Sequence, residues 1–196
     1  MDYTDLYRVK EALGTGESAD DTLLSTCITA ASRAMDRYVT RAVNSDNYFA
    51  LETKTNEEIS GRIDAEGSVV CWPRKPVTSS VSSMSWRARP RDSWAAVESS
   101  DIQIHDARIT AYEQTIARGM VRVRISYTGG FATVVNELPE DLVEVATVMT
   151  VRFYREIKSG LTDSIGVAEL GTLLYTKAIP VRVAEMLKPY QRVVGW

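Results

Sequence analysis

The chain has 196 residues, a formal charge of −3, 44% hydrophobic residues and 25% charged residues. This composition is typical of a soluble globular protein, and the length suffices for one domain, with or without an extended arm. The chain lacks the basic excess of dedicated nucleic-acid binders, although a weakly acidic protein could let DNA slide past it. Neither a membrane span of roughly 20 apolar residues nor a signal peptide is evident, so we expect the protein to be cytoplasmic where it is made.

Two helices are predicted before residue 42. Thr4 is expected to cap the first, over residues 5–13, and Gly14 to end it. Ser18 is expected to cap the second, which runs to about residue 41. The second helix has apolar residues at helical spacing, namely Leu24, Cys27, Ile28, Ala31, Met35, Tyr38 and Val39.

From about residue 47 to 127 the hydrophobic pattern alternates. Short strands are predicted at 48–51, 59–63, 68–72, 81–86, 101–105, 108–111 and 120–127. The last is the clearest, because apolar residues alternate strictly with Arg122, Arg124 and Ser126, as in a sheet with one buried face. Gly129 and Gly130 are then expected to form a sharp structural turn.

Two more helices are predicted near the end of the chain. Pro139 is expected to begin one of them, with Glu140 and Asp141 in the first turn and its end at residues 159–160. Residues 161–177 have little periodicity and are expected to form a long loop or arm. Pro180 is expected to open a last helix. The apolar stripe of the helix after Pro139 comprises Leu142, Val145, Ala146, Met149, Phe153 and Ile157.

Together these elements predict an α+β protein. It would be a bundle of about four helices with a small antiparallel strand-rich middle region. The core domain is expected to span residues 1–160, with helices at 4–42 and 139–159 around strands at 47–127. Residues 161–196 would form a loop and a carboxy-terminal helix or arm.

The sequence contains no recognisable catalytic or metal-binding motif. His105 is the single histidine, so sites with several histidines are excluded, and Cys27 and Cys71 are too far apart for a CxxC motif. No serine lies in a GxSxG motif, and no glycine pair leads into a phosphate-binding lysine. We therefore expect neither enzymatic activity nor a cofactor, and we expect both cysteines to be buried and reduced.

Arginines form the best candidate contact for a partner. Arg87, Arg89 and Arg91 are flanked by tryptophans and could meet a polyanion, although the pattern favours a solvated hairpin tip whose tryptophans pack onto the sheet. Arg122 and Arg124 are expected on an exposed strand face. These five arginines are the candidates for a subunit interface or for the wall of a DNA channel.

Several motifs follow one another along the chain. They are Asp20-Asp21 before a long helix, Tyr38-x-x-Arg41, Pro76-Val77 before Val81, Tyr127-Thr128-Gly129-Gly130-Phe131, Pro139-x-Asp141-Leu142 and Ile179-Pro180. In this order they resemble the head-tail connector (adaptor) proteins of tailed bacteriophages, over about residues 3–192. The stretch from residue 46 to 91 is longer and more strand-rich than the plainer members of that family would lead us to expect.

The resemblance implies a structural protein of the virion neck. Such proteins form a ring of about twelve copies below the portal and extend the channel through which DNA passes. The implied partners are further copies of the chain, the portal protein, and a stopper or tail-terminator protein. DNA would pass without sequence-specific binding, no membrane would be involved, and assembly would take place in the host cytoplasm.

The same resemblance implies that residues 161–196 attach to the portal. The candidate contacts are Leu187, Tyr190, Val193, Val194 and Trp196. As a terminal aromatic residue, Trp196 could pack into its own domain or anchor the chain in a partner. Two other functions remain open, a tail-completion or stopper component of the neck and a protein-binding module unrelated to phages.

Overall fold

The computed structural model describes residues 1–41, 47–105, 108–112, 119–159, 164–167, 171–174 and 179–191. The chain forms two compact units. One, the helical unit, comprises residues 1–47 and 134–191, and the other, the sheet unit, is built on residues 48–133. The protein is thus α+β, as predicted.

The described part of the helical unit contains four α-helices. They are α1 (Leu6–Leu13), α2 (Asp21–Thr40), α3 (Glu140–Ser159) and α4 (Val181–Leu187). Helices α1, α2 and α4 all contact α3. The predicted apolar stripe of α2 is buried except for the half-buried Tyr38, whereas Ile157, predicted on the stripe of α3, is 56% exposed near the end of that helix.

The residues that cap the amino-terminal ends of α1 and α2 differ from the predicted ones. Asp5, not Thr4, caps α1, because its carboxylate accepts the backbone N–H of Arg8 at 2.9 Å. The buried Thr4 hydroxyl lies instead 2.7 Å from that of Thr147 on α3. Asp20, not Ser18, occupies the cap position of α2. Gly14 ends α1 as predicted, in the left-handed conformation with φ 70°.

The described part of the sheet unit contains one antiparallel sheet of seven strands. They are β1 (Glu52–Ile63), β2 (Val69–Cys71), β3 (Val77–Arg87), β4 (Ala95–Val97), β5 (Ile102–His105), β6 (Arg108–Ala111) and β7 (Gly119–Gly129). Their spatial order is β4-β3-β7-β1-β2-β6-β5. The two edge strands are therefore consecutive in the chain.

This sheet is larger than the small strand-rich region predicted. Residues 48–51 were expected to form a strand, but they contribute only the isolated bridge from Ala50 to Ala132, whereas β1 begins at Glu52. The first half of β1 is mostly exposed, so its sequence lacks the alternation that indicates a strand. Strand β4 was not predicted, because its three residues are too few to show a period.

The core of the sheet unit lies on one face of β7 and its neighbours. Val121, Val123, Ile125 and Tyr127 are buried there, as the alternation predicted. Gly61 of β1 faces the same core, and a β-carbon at this position would stand 2.7 Å from Val123 Cγ2. Glycine therefore permits the close packing of β1 on β7. The rest of this core consists of Ile59, Ile63, Val69, Cys71, Val77, Met84, Trp86, Ile109 and Ala111.

The sheet unit begins and ends at one place. The backbone N–H of Phe131 donates to the carbonyl oxygen of Phe49 at 2.8 Å, and that of Leu51 donates to Ala132 at 2.7 Å. Gly130, which directly precedes Phe131, has φ +106°, a conformation that residues other than glycine rarely adopt. The segment is thus closed by hydrogen bonds between its two ends.

A short strand pair lies in the segment predicted to be a loop. Strands β8 (Ser164–Val167) and β9 (Gly171–Leu174) pair in antiparallel fashion within the helical unit. Among the residues described, no helix combines the length and apolar character needed to cross a membrane.

Candidate functional site on the sheet

The predicted arginines of β7 lie on the face of the sheet opposite its apolar core. Arg122 pairs with Ser60 of β1 and with Arg87 of β3, whereas Arg124 pairs with Glu58 and Ser85 on the same two strands. Side chains of directly paired residues project to the same side of a sheet. We call this surface the arginine face, and define it by Glu58, Ser60, Ser85, Arg87, Arg122 and Arg124.

Glu58 is the single carboxylate of this face. Its Oε1 atom lies 2.7 Å from Nη2 of Arg124, and its Oε2 atom lies 3.9 Å from Nη2 of Arg87. The hydrogen bond from Arg124, supported by the charges of Arg124, Arg87 and Arg122, lowers the pKa of Glu58 below its usual 4.5. Arg122 is exposed and forms no hydrogen bond or ion pair with the described residues.

Trp94 organises two of the guanidinium groups. It follows the loop after β3, and its ring lies 4.4 Å from the guanidinium carbon of Arg87 and 4.2 Å from that of Arg124. Arg87 also donates from Nη1 to the carbonyl oxygen of Pro90 at 2.8 Å. Cation–π contacts of this kind contribute about 0.5–1 kcal/mol each at exposed sites. The guanidinium groups are therefore held in position rather than free to sample many rotamers.

The remaining residues of the predicted arginine cluster lie outside this face. Arg89 and Arg91 are exposed in the loop between β3 and β4. The backbone N–H of Arg89 donates to the carboxylate of Asp92 at 2.8 Å, which tightens the loop. Trp86 is buried in the apolar core on the other side of the sheet. The structure thus brings Arg87 to Arg122 and Arg124, while Arg89 and Arg91 stay in the loop.

Two of the predicted portal contacts make contacts inside the helical unit. Leu187 is fully buried, and the Tyr190 hydroxyl donates to the carboxylate of Asp141, 2.8 Å from its Oδ2 atom. Burial, together with Asp141, raises the pKa of Tyr190 to about 12. Arg182 of α4 pairs with Glu144 of α3 at 2.7 Å. The other predicted contacts, Val193, Val194 and Trp196, lie outside the described residues.

The potentially reactive side chains are not assembled into a catalytic group in the described part of the protein. His105 is exposed at the end of β5, and Cys27 and Cys71 are buried and not disulfide-bonded, as predicted. Burial raises the pKa of the Cys71 thiol to about 12, which makes it a poor nucleophile. No set of three His, Cys, Asp or Glu residues suited to a metal ion is present among the described residues.

Sequence reasoning missed Glu58 and the role of Trp94. The signal for Glu58 was the alternation of Glu58, Ser60 and Arg62 with Ile59 and Ile63, which places the polar residues on one face. No local pattern indicates that Trp94 lies over two arginines, because that contact depends on how the loop after β3 folds back.

Comparison with known proteins gives matches at the level of fold. No protein-family model matches the sequence, and neither does any curated protein. A chain in the "Neck of empty GTA particle computed with C6 symmetry" matches with 17% identity and a TM-score of 0.50, over 99% of this chain and 92% of that chain. A chain in the "Virion of native gene transfer agent (GTA) particle" matches with 15% identity and a TM-score of 0.52, over the same shares. At sequence identities this low, the two matches show that the fold is shared and show nothing further about this chain.

Proposed function

We propose that the protein is a structural, non-enzymatic component of a virion neck, where it forms a ring below the portal, extends the DNA channel and joins head to tail. The observation that carries this proposal is the fold shared with a chain of a gene transfer agent neck over 99% of this chain. The ordered motifs that resemble phage connectors support the same role, because they were found in the sequence independently of the fold.

A ring accounts for the symmetry of that neck, which was computed as C6. The resemblance to connectors favours about twelve copies. A closed ring needs two different surfaces on each subunit, since each copy meets its neighbours head to tail. The arginine face is a candidate for one of these surfaces. The charge of −3 favours a channel through which DNA moves without tight binding.

Attachment to the portal is assigned to the carboxy-terminal arm, residues 161–196. Leu187 and Tyr190 would act within this arm by fixing α4 to α3, since one is buried and the other is bonded to Asp141. The direct contacts would then fall on Val193, Val194 and Trp196. A stopper or tail-terminator protein would bind on the side of the ring away from the portal.

The experiment that tests this role is native mass spectrometry of the protein, alone and with the portal protein from the same source. A ring, or a portal complex holding many copies, is the expected result. A monomer that ignores portal would contradict the proposal, and binding to a tail-terminator but not to portal would favour a stopper instead.

A shortened chain tests the attachment segment. Deleting residues 192–196 leaves Leu187 and Tyr190 in place, so the contacts of α4 with α3 should be kept while attachment to portal is lost. Unimpaired attachment of this shortened chain would show that the contacts lie elsewhere.

A further inference from the structure

The arginine face has more cationic than anionic groups. Its three guanidinium groups share one carboxylate, and Glu58 already accepts a hydrogen bond from Arg124 at 2.7 Å. Arg122 is left exposed beside them. A guanidinium group offers a planar fork of N–H donors that matches a carboxylate in two-point geometry. The face therefore has the capacity to bind at least one further carboxylate.

The guanidinium groups of this face are positioned before any partner arrives. Arg87 and Arg124 lie under the ring of Trp94, and Arg87 is also bonded to the carbonyl oxygen of Pro90. Side chains that are already ordered lose little conformational entropy on binding. This arrangement favours recognition of a defined partner over loose attraction of any anion.

The net charges of the two units differ in sign. Residues 1–47 and 134–191 contain 16 acidic and 11 basic residues, whereas the rest of the chain contains 10 acidic and 12 basic residues. The helical unit of one copy thus carries a net negative charge, which complements the positive charge of the arginine face of another copy. Because every copy carries both a positive and a negative surface, opposite charges on neighbouring copies favour the head-to-tail contacts that a ring requires.

Exposed carboxylates without an ion pair among the described residues are found at Glu11, Glu17 and Glu185 of the helical unit, and the first two lie near the end of α1. Glu11 and Glu17 are exposed, and neither carboxylate forms a hydrogen bond or ion pair with the described residues. Glu11 lies in the last turn of α1, where the helix dipole disfavours an anion. By contrast, the nearby Asp20 and Asp21 pair with Lys158 at 2.7 Å and with Lys10 at 2.5 Å. We call Glu11 and Glu17 the acidic corner.

We propose that the arginine face of one copy binds the acidic corner of the next copy in the ring. This inference rests on the proposed neck function, because it assigns partners to the two surfaces that a ring needs. DNA phosphate is the competing ligand. Glu58 places a negative charge among the arginines, which disfavours a polyanion more than a single carboxylate. Arginines that bind phosphate firmly would also impede DNA moving through a channel.

Two variants with opposite charge changes test this contact. Arg122→Glu alters the face at an exposed side chain that forms no hydrogen bond or ion pair with the described residues, so the fold should be kept. Glu11→Arg/Glu17→Arg alters the corner. Arg108→Glu and Glu185→Arg are the matched controls, because both positions are exposed and lie outside the two surfaces.

Self-association would be measured by sedimentation velocity at low and high salt, and copies per portal by native mass spectrometry. The wild type and both controls should associate, more weakly as salt rises. Each test variant alone should associate roughly tenfold more weakly. An equal mixture of the two test variants should recover association, because the unaltered face of one variant meets the unaltered corner of the other.

The inference is overturned if both test variants associate as the controls do, alone and on portal, or if their mixture gains nothing. It is also overturned if the wild type binds duplex DNA and Arg122→Glu abolishes that binding while leaving association unchanged. Whether the wild type binds portal tests the neck function, and it does so independently of the contact between copies. If the wild type does not bind portal but the test variants lose self-association, the result would support the contact between copies and contradict the neck role.

Discussion

The hydroxyl group of Tyr3 donates a hydrogen bond of 2.6 Å to the carboxylate of Asp36, and both side chains are fully buried in the helical unit. The other carboxylate oxygen of Asp36 accepts the backbone N–H of Asn47 at 2.8 Å. The backbone N–H of Tyr3 donates to the Ser32 hydroxyl at 3.0 Å. The segment before α1 is therefore fixed to α2 by polar groups shielded from water.

We expect Tyr3→Phe to lower the free energy of unfolding by about 1–3 kcal/mol, because it removes a hydrogen bond to a buried carboxylate. Urea denaturation measures this change. Tyr7→Phe is the matched control, since Tyr7 is 75% exposed. Equal losses in the two variants would show that the bond to Asp36 contributes little.

Replacement of the glycines after β7 should destabilise the sheet unit. A β-carbon at Gly130 would stand 2.1 Å from the carbonyl oxygen of Ala50, and one at Gly129 would stand 2.9 Å from that of Pro76. We expect Gly130→Val and Gly129→Val each to cost at least about 2 kcal/mol, measured by thermal melting. Gly16→Val is the control, because no atom lies within 4 Å of its β-carbon position. Melting of either variant at the control temperature would refute the expected clash.

The ion pair of the arginine face should make stability depend on pH. The pKa of Glu58 is lowered from 4.5, first by the hydrogen bond from Arg124. A lowered pKa means that Glu58 stabilises the folded state above pH 4.5 and that this contribution is lost as pH falls through the lower, folded-state value. The stability difference between wild type and Glu58→Gln should therefore shrink on acidification, as followed by urea denaturation across pH. A difference that is constant with pH would exclude this role of Glu58.

The sheet unit should fold on its own. Residues 48–133 contain an apolar core of their own, and the hydrogen bonds from Phe131 to Phe49 and from Leu51 to Ala132 close the segment. We expect this fragment to show a β-type circular dichroism spectrum and cooperative unfolding. Val123→Ala should lower its melting temperature, because Val123 is fully buried. A fragment that melts without cooperativity would show that residues 48–133 depend on the rest of the chain.

Elements with a strong period were predictable from sequence. The burial of Leu24, Met35 and Val39 on α2 follows from helical spacing, and that of Val123 and Ile125 on β7 follows from alternation. The caps were not predictable in this way. Asp20 takes the place of Ser18 at the start of α2, and its carboxylate accepts a hydrogen bond from Tyr154 at 2.6 Å, a contact with a distant part of the sequence.

A β-bulge in β3 decides which arginines belong to the arginine face, and local sequence patterns do not reveal this bulge. The register of β3 against β7 shifts between Val81 and Ser83. Such a bulge changes which face of the sheet the odd-numbered residues of β3 point to. Val81, before the bulge, lies on the core face, whereas Ser85 and Arg87, after it, lie on the polar face. Arg87 therefore joins Arg124 on the polar face, while Trp86 enters the core. Charge and spacing alone could not distinguish Arg87 from Arg89.

The order of synthesis adds a consequence to the closure of the sheet unit at Phe49 and Phe131. Helix α2 ends at Thr40 and its packing partner α3 begins at Glu140, so translation separates them by about 100 residues, or roughly 5–20 seconds. During this interval the apolar stripe of α2 has no α3 to cover it. A sheet unit that folds first brings residues 48 and 133 together, which removes most of the loop entropy that α2 and α3 must overcome to meet. The inserted sheet would thus shorten the period in which the nascent chain is prone to aggregate.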